Sequence, residues 1–255
     1  MTVHPLFKEL PQKQGLASSS RSATLSAQLV AEVRQALFEK RLKPGDFLGG
    51  EQDIAARRGV SRIVARDALR TLEALGIVEI KVGARGGARI AYGDPQRFAE
   101  ALAVQLELAG TDVAEIMDAQ RAVETLAAEL AAEHATAGDI ARLKALLETG
   151  SRALDDVAAF TRNGAEFHLA VADASHNRVL AVQLQSLQHV SWPSRNPTLT
   201  HDVAAHVQTA HRDLVKLIEM RDPSGARRLM NDHVKMIRAR RVAERGTNQA
   251  INDCC

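Results

Sequence analysis

The sequence predicts a mainly α protein, with an N-terminal winged helix-turn-helix followed by an all-helical domain. Three observations carry that expectation. Aromatic residues make up only 3% of the 255 residues while 45% are hydrophobic. The core therefore draws on Ala, Leu and Val, which suits close-packed helices better than a sheet sandwich rich in β-branched and aromatic residues. The first third reads as helix, short helix, tight turn, helix and two alternating strands, and the rest shows helical spacing broken only by stop signals. At this length one large or two modest domains are expected.

Residues 1–21 are polar, include Ser18, Ser19 and Ser20, and read as a flexible arm. Residues 22–92 form the winged helix-turn-helix. From Thr24 to Lys40, Leu25, Leu29, Val33, Ala36 and Leu37 recur at helical spacing until Lys43-Pro44-Gly45-Asp46 stops the helix. A short helix over Glu51–Arg58 turns Ile54 and Ala55 inward and ends at Gly59. Ser61 caps the next helix, whose apolar faces come from Ile63, Ala65, Ala68, Leu69 and Leu72 before Gly76 ends it. Residues 77–82 alternate as a strand, Gly83–Gly87 turns, and Ala88–Tyr92 returns. Residues 93–96 are the linker. The second domain, 97–244, holds helices over 97–109, 112–134, 138–150, 154–175, 177–191, 202–221 and 223–244, and 245–255 is a flexible tail.

Net charge is +2, unevenly spread: residues 1–95 carry 15 Lys and Arg against 10 Asp and Glu, residues 96–255 carry 18 against 21. A basic first third on a mildly acidic remainder suits a nucleic-acid-facing module on a neutral scaffold. No run of 18 apolar residues offers a membrane span, and the N-terminus lacks an apolar signal core, so a cytoplasmic protein is expected. Both cysteines, Cys254 and Cys255, lie at the extreme C-terminus. They rule out a fold-stapling disulfide and a Cys-based metal site, and nothing else supports a lipid anchor on that ending.

The turn Arg58-Gly59-Val60 needs the left-handed backbone that glycine permits. After it, Arg62, Arg66 and Arg70 are spaced by four and form one basic stripe. Such a stripe suits a recognition helix in the major groove, where the Arg fork meets guanine O6 and N7 together. A solvated face paired with Asp67 and Glu73 is the plainer alternative, which the adjoining turn and wing disfavour. Arg85 and Arg89, in the glycine-rich wing, suit the minor groove or the DNA backbone.

Residues 42–90, LKPGDFLGGEQDIAARRGVSRIVARDALRTLEALGIVEIKVGARGGARI, resemble the DNA-binding domain of the GntR family of bacterial transcription regulators. The resemblance rests on the PGD of 44–46, Glu51, Ile54-Ala55, the GVSR of 59–62, Arg66, Ala68-Leu69, Leu72, Gly76 and the wing. It implies, through the FadR subfamily, that Ser61, Arg62 and Arg66 meet bases and phosphates. A further arginine of that subfamily falls on Gln52, and Gly49-Gly50 replaces the usual Pro-Ser or Pro-Thr.

The all-helical part resembles the FCD ligand-sensing domain, an antiparallel helical bundle. The residues concerned are Arg121 with Glu124, Glu166-Phe167-His168, Ala174-Ser175-His176-Asn177, His211 and His233. The resemblance implies a divalent metal held by an Asp and three histidines, which fall on His168, His211 and His233. Gly164 stands where the Asp is expected, Asn163 lies roughly 100° round the helix from it, and Glu166 points elsewhere. Three neutral imidazoles still suit Zn²⁺ or Ni²⁺, with water or an effector carboxylate as a further ligand. A lone helical His is more often a hydrogen-bonded core residue, and a metal-free effector pocket is the alternative. Arg121 is either a carboxylate clamp or a salt-bridge partner of Glu124 or Asp118. Asn177 is an effector-binding candidate, though a helix N-cap suits it better.

These readings converge on a sequence-specific transcription regulator, a repressor acting as a homodimer on palindromic double-stranded operator DNA, without a membrane partner. A small carboxylate effector in the helical domain controls its operator affinity. Two alternatives remain: a metal-free acyl-CoA or lipid-responsive regulator, and a three-histidine zinc hydrolase.

Overall fold

The computed structural model describes residues 18–83, 86–191 and 199–252, and the chain divides into two compact units between Asp94 and Pro95. The first unit contains α1 (Ser18–Phe38), β1 (Phe47–Gly49), α2 (Glu51–Arg58), α3 (Arg62–Ala74), β2 (Val78–Lys81) and β3 (Gly87–Ile90). Its core gathers Leu29, Val33 and Ala36 from α1, Ile54 from α2, and Ala65, Ala68, Leu69 and Leu72 from α3 against Leu48, Val78, Ala88 and Ile90. The corner between α2 and α3 follows from local chemistry. Gly59 ends α2 at φ 64°, the left-handed region that costs glycine nothing. Two residues later the Ser61 hydroxyl accepts a hydrogen bond from the Val64 amide at 3.3 Å and starts α3.

The wing is a three-stranded antiparallel sheet in the order β1-β3-β2. The sequence predicts only its β2–β3 hairpin, because β1 has three residues and shows no readable alternation. Phe47 of β1 pairs with Arg89, and the register shifts before Gly49 pairs with Ala88. Gly87 makes that approach possible: its φ is 133°, and a Cβ there would meet the Phe47 ring at 2.8 Å.

The second unit is helical throughout its described residues: α4 (Pro95–Leu108), α5 (Val113–His134), α6 (Ala137–Arg152), α7 (Val157–Ala174), α8 (Arg178–Ser191), α9 (His201–Glu219) and α10 (Pro223–Asn252). Asp112, Thr136, Asp156 and Thr200 cap α5, α6, α7 and α9 through their side-chain oxygens. The central helix α5 lies against α10, α7 and α8, while α6 lies against α7 and α9. Alanines at 128, 131 and 132 are fully buried and leave room for close helix contact around Met117, Phe167, Leu214, Ile218 and Met230. At the corner after α9, Arg221 adopts φ 58°. Its guanidinium donates to the carbonyls of Ala132 at 3.2 Å and Ala135 at 2.6 Å, satisfying groups that the end of α5 leaves unpaired.

Several expected boundaries move. Residues 18–21, expected in the flexible arm, already belong to α1, since serine is well tolerated at a helix start. The expected flexible tail is helical to Asn252, because a single Gly246 disfavours helix by only about 1 kcal/mol and no proline follows. Proline suits the first helical position, so α4 takes Pro95 and Gln96 from the expected linker. Ile63, expected on an apolar face, is 65% exposed, because the buried side of α3 starts at Val64. Residues 1–17 of the arm, Arg85 in the wing, and Cys254 and Cys255 lie outside the described residues. No helix among the described residues is long and apolar enough to cross a membrane.

Gly87→Ala is expected to destabilise the first unit by about 1–3 kcal/mol, from the left-handed backbone and the displaced Phe47 ring. Urea denaturation followed by circular dichroism measures it. An unchanged midpoint would show that the wing tolerates a side chain there.

Candidate functional site

Two sets of residues invite a functional reading, one in each unit. In the first unit, Arg62, Arg66 and Arg70 are exposed on α3, opposite the face that buries Ala65, Ala68 and Leu72. Gln52 is exposed in the first turn of α2. The Ser61 hydroxyl serves as the α3 cap described above. Arg66 is held by Glu51 through two hydrogen bonds, from Nε at 2.9 Å and from Nη2 at 2.8 Å. Arg89 is half-buried, donates to the Gly45 carbonyl at 3.1 Å and lies over the Phe47 ring with its guanidinium carbon 4.8 Å from the centroid. That residue secures the wing base, which the sequence does not reveal because its partner strand β1 is not predicted.

In the second unit, α7, α9 and α10 bring His168, His211 and His233 together, all buried, with their ligand atoms within 4.8 Å of one another. Nε2 of His233 stands 3.2 Å from Nε2 of His211 and 3.4 Å from Nε2 of His168. Phe167 stacks on the His211 ring with centroids 4.1 Å apart, which fixes that imidazole. Burial, reinforced by the neighbouring imidazoles, pushes His211 well below its ordinary pKa and His233 down to about 3. Both rings are therefore neutral near pH 7, the form in which a histidine offers a lone pair to a metal.

Behind this cluster lies Glu124 of α5, buried to 1% exposure, with Oε2 2.5 Å from Nδ1 of His168 and Oε1 accepting from Gln120 Nε2 at 2.6 Å. Burial works to raise the Glu124 pKa, but His168, Gln120 and His233 outweigh it and hold the carboxyl below its ordinary value. A carboxylate on Nδ1 turns Nε2 of His168 toward the other two rings, the arrangement found behind metal-ligating histidines.

Two of the three nitrogen separations suit a tetrahedral ion. Zn–N bonds of about 2.0–2.1 Å place neighbouring nitrogens about 3.3 Å apart, and the two Nε2 separations given above bracket that value. Without an ion, Nε2 of His233 faces two nitrogens but carries at most one proton, so the cluster is a poor hydrogen-bonding core. Gly164 lies one helical turn before His168, and a Cβ added there meets nothing within 4 Å. Asn163 is buried toward α6 and α9: its Oδ1 and the Oε1 of Gln208 both crowd Gly150, where an added Cβ would stand 2.6 and 2.7 Å from them. Glu166 is exposed.

Sequence reading misses the role of Glu124 because spacing pairs it with Arg121. The available signal is that Glu124 falls on the apolar stripe Met117, Ala128 and Ala131, where a carboxylate needs a buried partner. Arg121 instead lies 3.6 Å from Asp118, whose carboxylate is held at 2.9 and 2.8 Å by Arg238. The Asn177 side-chain oxygen caps α8, accepting from the amides of Val179 at 3.1 Å and Leu180 at 3.3 Å. Trp192, in the proline-interrupted stretch after α8, lies outside the described residues.

A winged-helix reader followed by a helical unit with a buried ligand-competent centre defines a transcription regulator with an effector-binding domain. Residues 25–87 match the gntR family of bacterial regulatory proteins and residues 115–236 match the FCD domain. The HTH-type transcriptional regulator YcbG of Bacillus subtilis (strain 168) is 30% identical over 222 residues, covering 84% of this chain and 89% of its own. LutR of the same organism is 36% identical over 151 residues, 59% of this chain and 66% of its own. The Exu regulon transcriptional regulator of Escherichia coli (strain K12) is 27% identical over 218 residues, 83% of this chain and 82% of its own. Among solved structures, Streptococcus agalactiae GntR shares the fold with a TM-score of 0.58 at 22% identity, covering 84% of this chain and 99% of that one. The chain belongs to the GntR family, in a FadR-like subfamily with an FCD domain, and is a transcription regulator rather than an enzyme.

Glu124→Gln is expected to weaken Zn²⁺ binding roughly tenfold to a hundredfold through loss of the carboxylate on Nδ1, and Gly164→Asp to strengthen it. Competition with a chromophoric chelator gives both values. Equal affinity in wild type and both variants would exclude the three imidazoles as the binding site.

Proposed function

We propose that this regulator is a repressor whose operator affinity is set by a small carboxylate effector bound beside a metal ion in the FCD domain. The observation that carries the reading is the convergence of His168, His211 and His233 with open space at Gly164. A metal there would be held by three neutral imidazoles and would polarise an oxygen donor reaching it from the effector. Arg121 sits three residues before Glu124 on α5, and its fork suits the far end of a carboxylate. Asn177 is left to its capping role. The hydrolase alternative loses its catalytic base, since Glu124 is spent on Nδ1 of His168 rather than facing a metal-bound water.

On the DNA side we assign Gln52, Ser61, Arg62, Arg66 and Arg70 to the operator, with Arg89 securing the wing. A homodimer working in the bacterial cytoplasm would place two such readers on a palindrome. Support for the dimer comes from α4, where Phe98, Val104 and Leu108 are 52%, 56% and 77% exposed within roughly 120° of the helix circumference. Such an exposed apolar face fits a second copy of itself. The effector acts by favouring one arrangement of the two readers over the other, because only differential affinity shifts an equilibrium.

The test pairs DNA binding with effector binding. Duplexes from the chain's own promoter region are titrated with wild type, Arg62→Ala and Arg121→Ala, with Zn²⁺ and a panel of small carboxylates. Arg62→Ala is expected to lose about tenfold or more in operator affinity. Arg121→Ala should bind DNA normally yet need far more carboxylate for release. If no carboxylate alters DNA binding in the presence of Zn²⁺, the effector assignment is wrong.

A further inference from the structure

Glu51 poses a question that DNA binding alone does not answer. Its carboxylate stands among the reader's cations: the hydrogen bond from Arg66 chiefly holds its pKa below the ordinary value, and Arg62 and Arg70 add to the effect. The Arg66 and Glu51 side chains are 45% and 33% exposed, so the pair lies at the surface. A carboxylate in that position repels phosphates and weakens general attraction to DNA.

The geometry of the pair resolves this. A guanidinium has two edges that can form a fork. Glu51 occupies the edge made by Nε and Nη2, which leaves the Nη1–Nη2 end directed away from the carboxylate. That end can still grip guanine O6 and N7 together. The ion pair carries no net charge, so it releases no counterion from the phosphate backbone. Arg66 in this state is a hydrogen-bond donor of fixed orientation with little general pull on DNA.

We propose that Glu51 is a specificity-determining residue of the reader: by clamping Arg66 it suppresses sequence-independent attraction and presents the guanidinium end to a base edge. This rests on the assignment of α3 to the operator. Arg62 and Arg70 supply the general phosphate attraction, and Arg66 supplies discrimination. Glu51 acts through Arg66 and is therefore a positioning residue.

The experiment uses the full-length protein and two short duplexes, one enriched by the wild type from a random-sequence pool and one unselected. Each is titrated over a salt series with wild type, Glu51→Gln, Arg66→Ala and the double variant. In Glu51→Gln the unselected duplex should bind roughly fivefold to tenfold tighter near 0.1 M salt, with its salt slope steeper by about 0.9, one more counterion released. The selected duplex should gain less, so the ratio of the two affinities falls. Arg66→Ala should lower that ratio by about tenfold, and adding Glu51→Gln to it should lower the ratio no further. A ratio unchanged by Glu51→Gln, while Arg66→Ala lowers it, would overturn the role of Glu51 alone. A ratio unchanged by Arg66→Ala would overturn the assignment of α3 and the inference with it. An equal further drop in the double variant would show that Glu51 acts independently of Arg66, contrary to the proposal.

Discussion

The arrangement of the sensing unit depends on one buried contact, the Glu124 carboxylate against Nδ1 of His168. An ionised carboxylate in a helical interior is costly unless it is paired and hydrogen-bonded, so α5 and α7 are bound to a single relative register. That register turns Nε2 of His168 toward α9 and α10, and those helices deliver His211 and His233 to the same point. Burial keeps His211 and His233 uncharged, because the low dielectric of the interior disfavours an isolated imidazolium. One buried carboxylate thus orients the first of three converging imidazoles.

The DNA-binding unit solves a related problem at its surface. Its small core fixes α3 through Val64, Ala65, Ala68, Leu69 and Leu72, which leaves the arginine stripe outward with no freedom of rotation about the helix axis. Positive charges on that stripe serve different ends according to their neighbours. Arg58, near the end of α2, is drawn into an ion pair with Glu32 of α1, with only 3% of its side chain exposed. Arg89 is tied to Gly45 and Phe47 in the wing. Basic composition in the first third therefore overstates the cation density available to DNA, since part of it holds the unit together.

Helices were legible wherever periodicity and caps coincided. The Asp112 cap and Gly110 bracket the start of α5 in sequence as in space, and Gly59 marks the corner before α3. What escaped was structure formed by distant partners. Strand β1 exists because Gly87 admits Phe47 against the sheet, a contact between residues forty positions apart in the numbering. Glu51 meets Arg66 across a corner, where neither helical nor strand spacing applies. The three histidines were legible as a set only through family order, since nothing local to His168, His211 or His233 announces that their rings converge. Glu124 offers only Arg121 as a neighbour along its own helix, and helix spacing says nothing of its contact with His168 on α7.

Arg221 gives the bundle a mechanical property. Its side chain rivets the corner between α9 and α10 to the last carbonyls of α5, the helix that also bears Glu124. From Glu124 to the Ala135 carbonyl the helix rises about 16 Å, which makes α5 a stiff lever fastened at one end to the corner and touching the imidazole cluster along its length. The placement of His211 and His233 on the two helices that meet at this corner is thereby tied to α5, which carries the carboxylate behind the third imidazole.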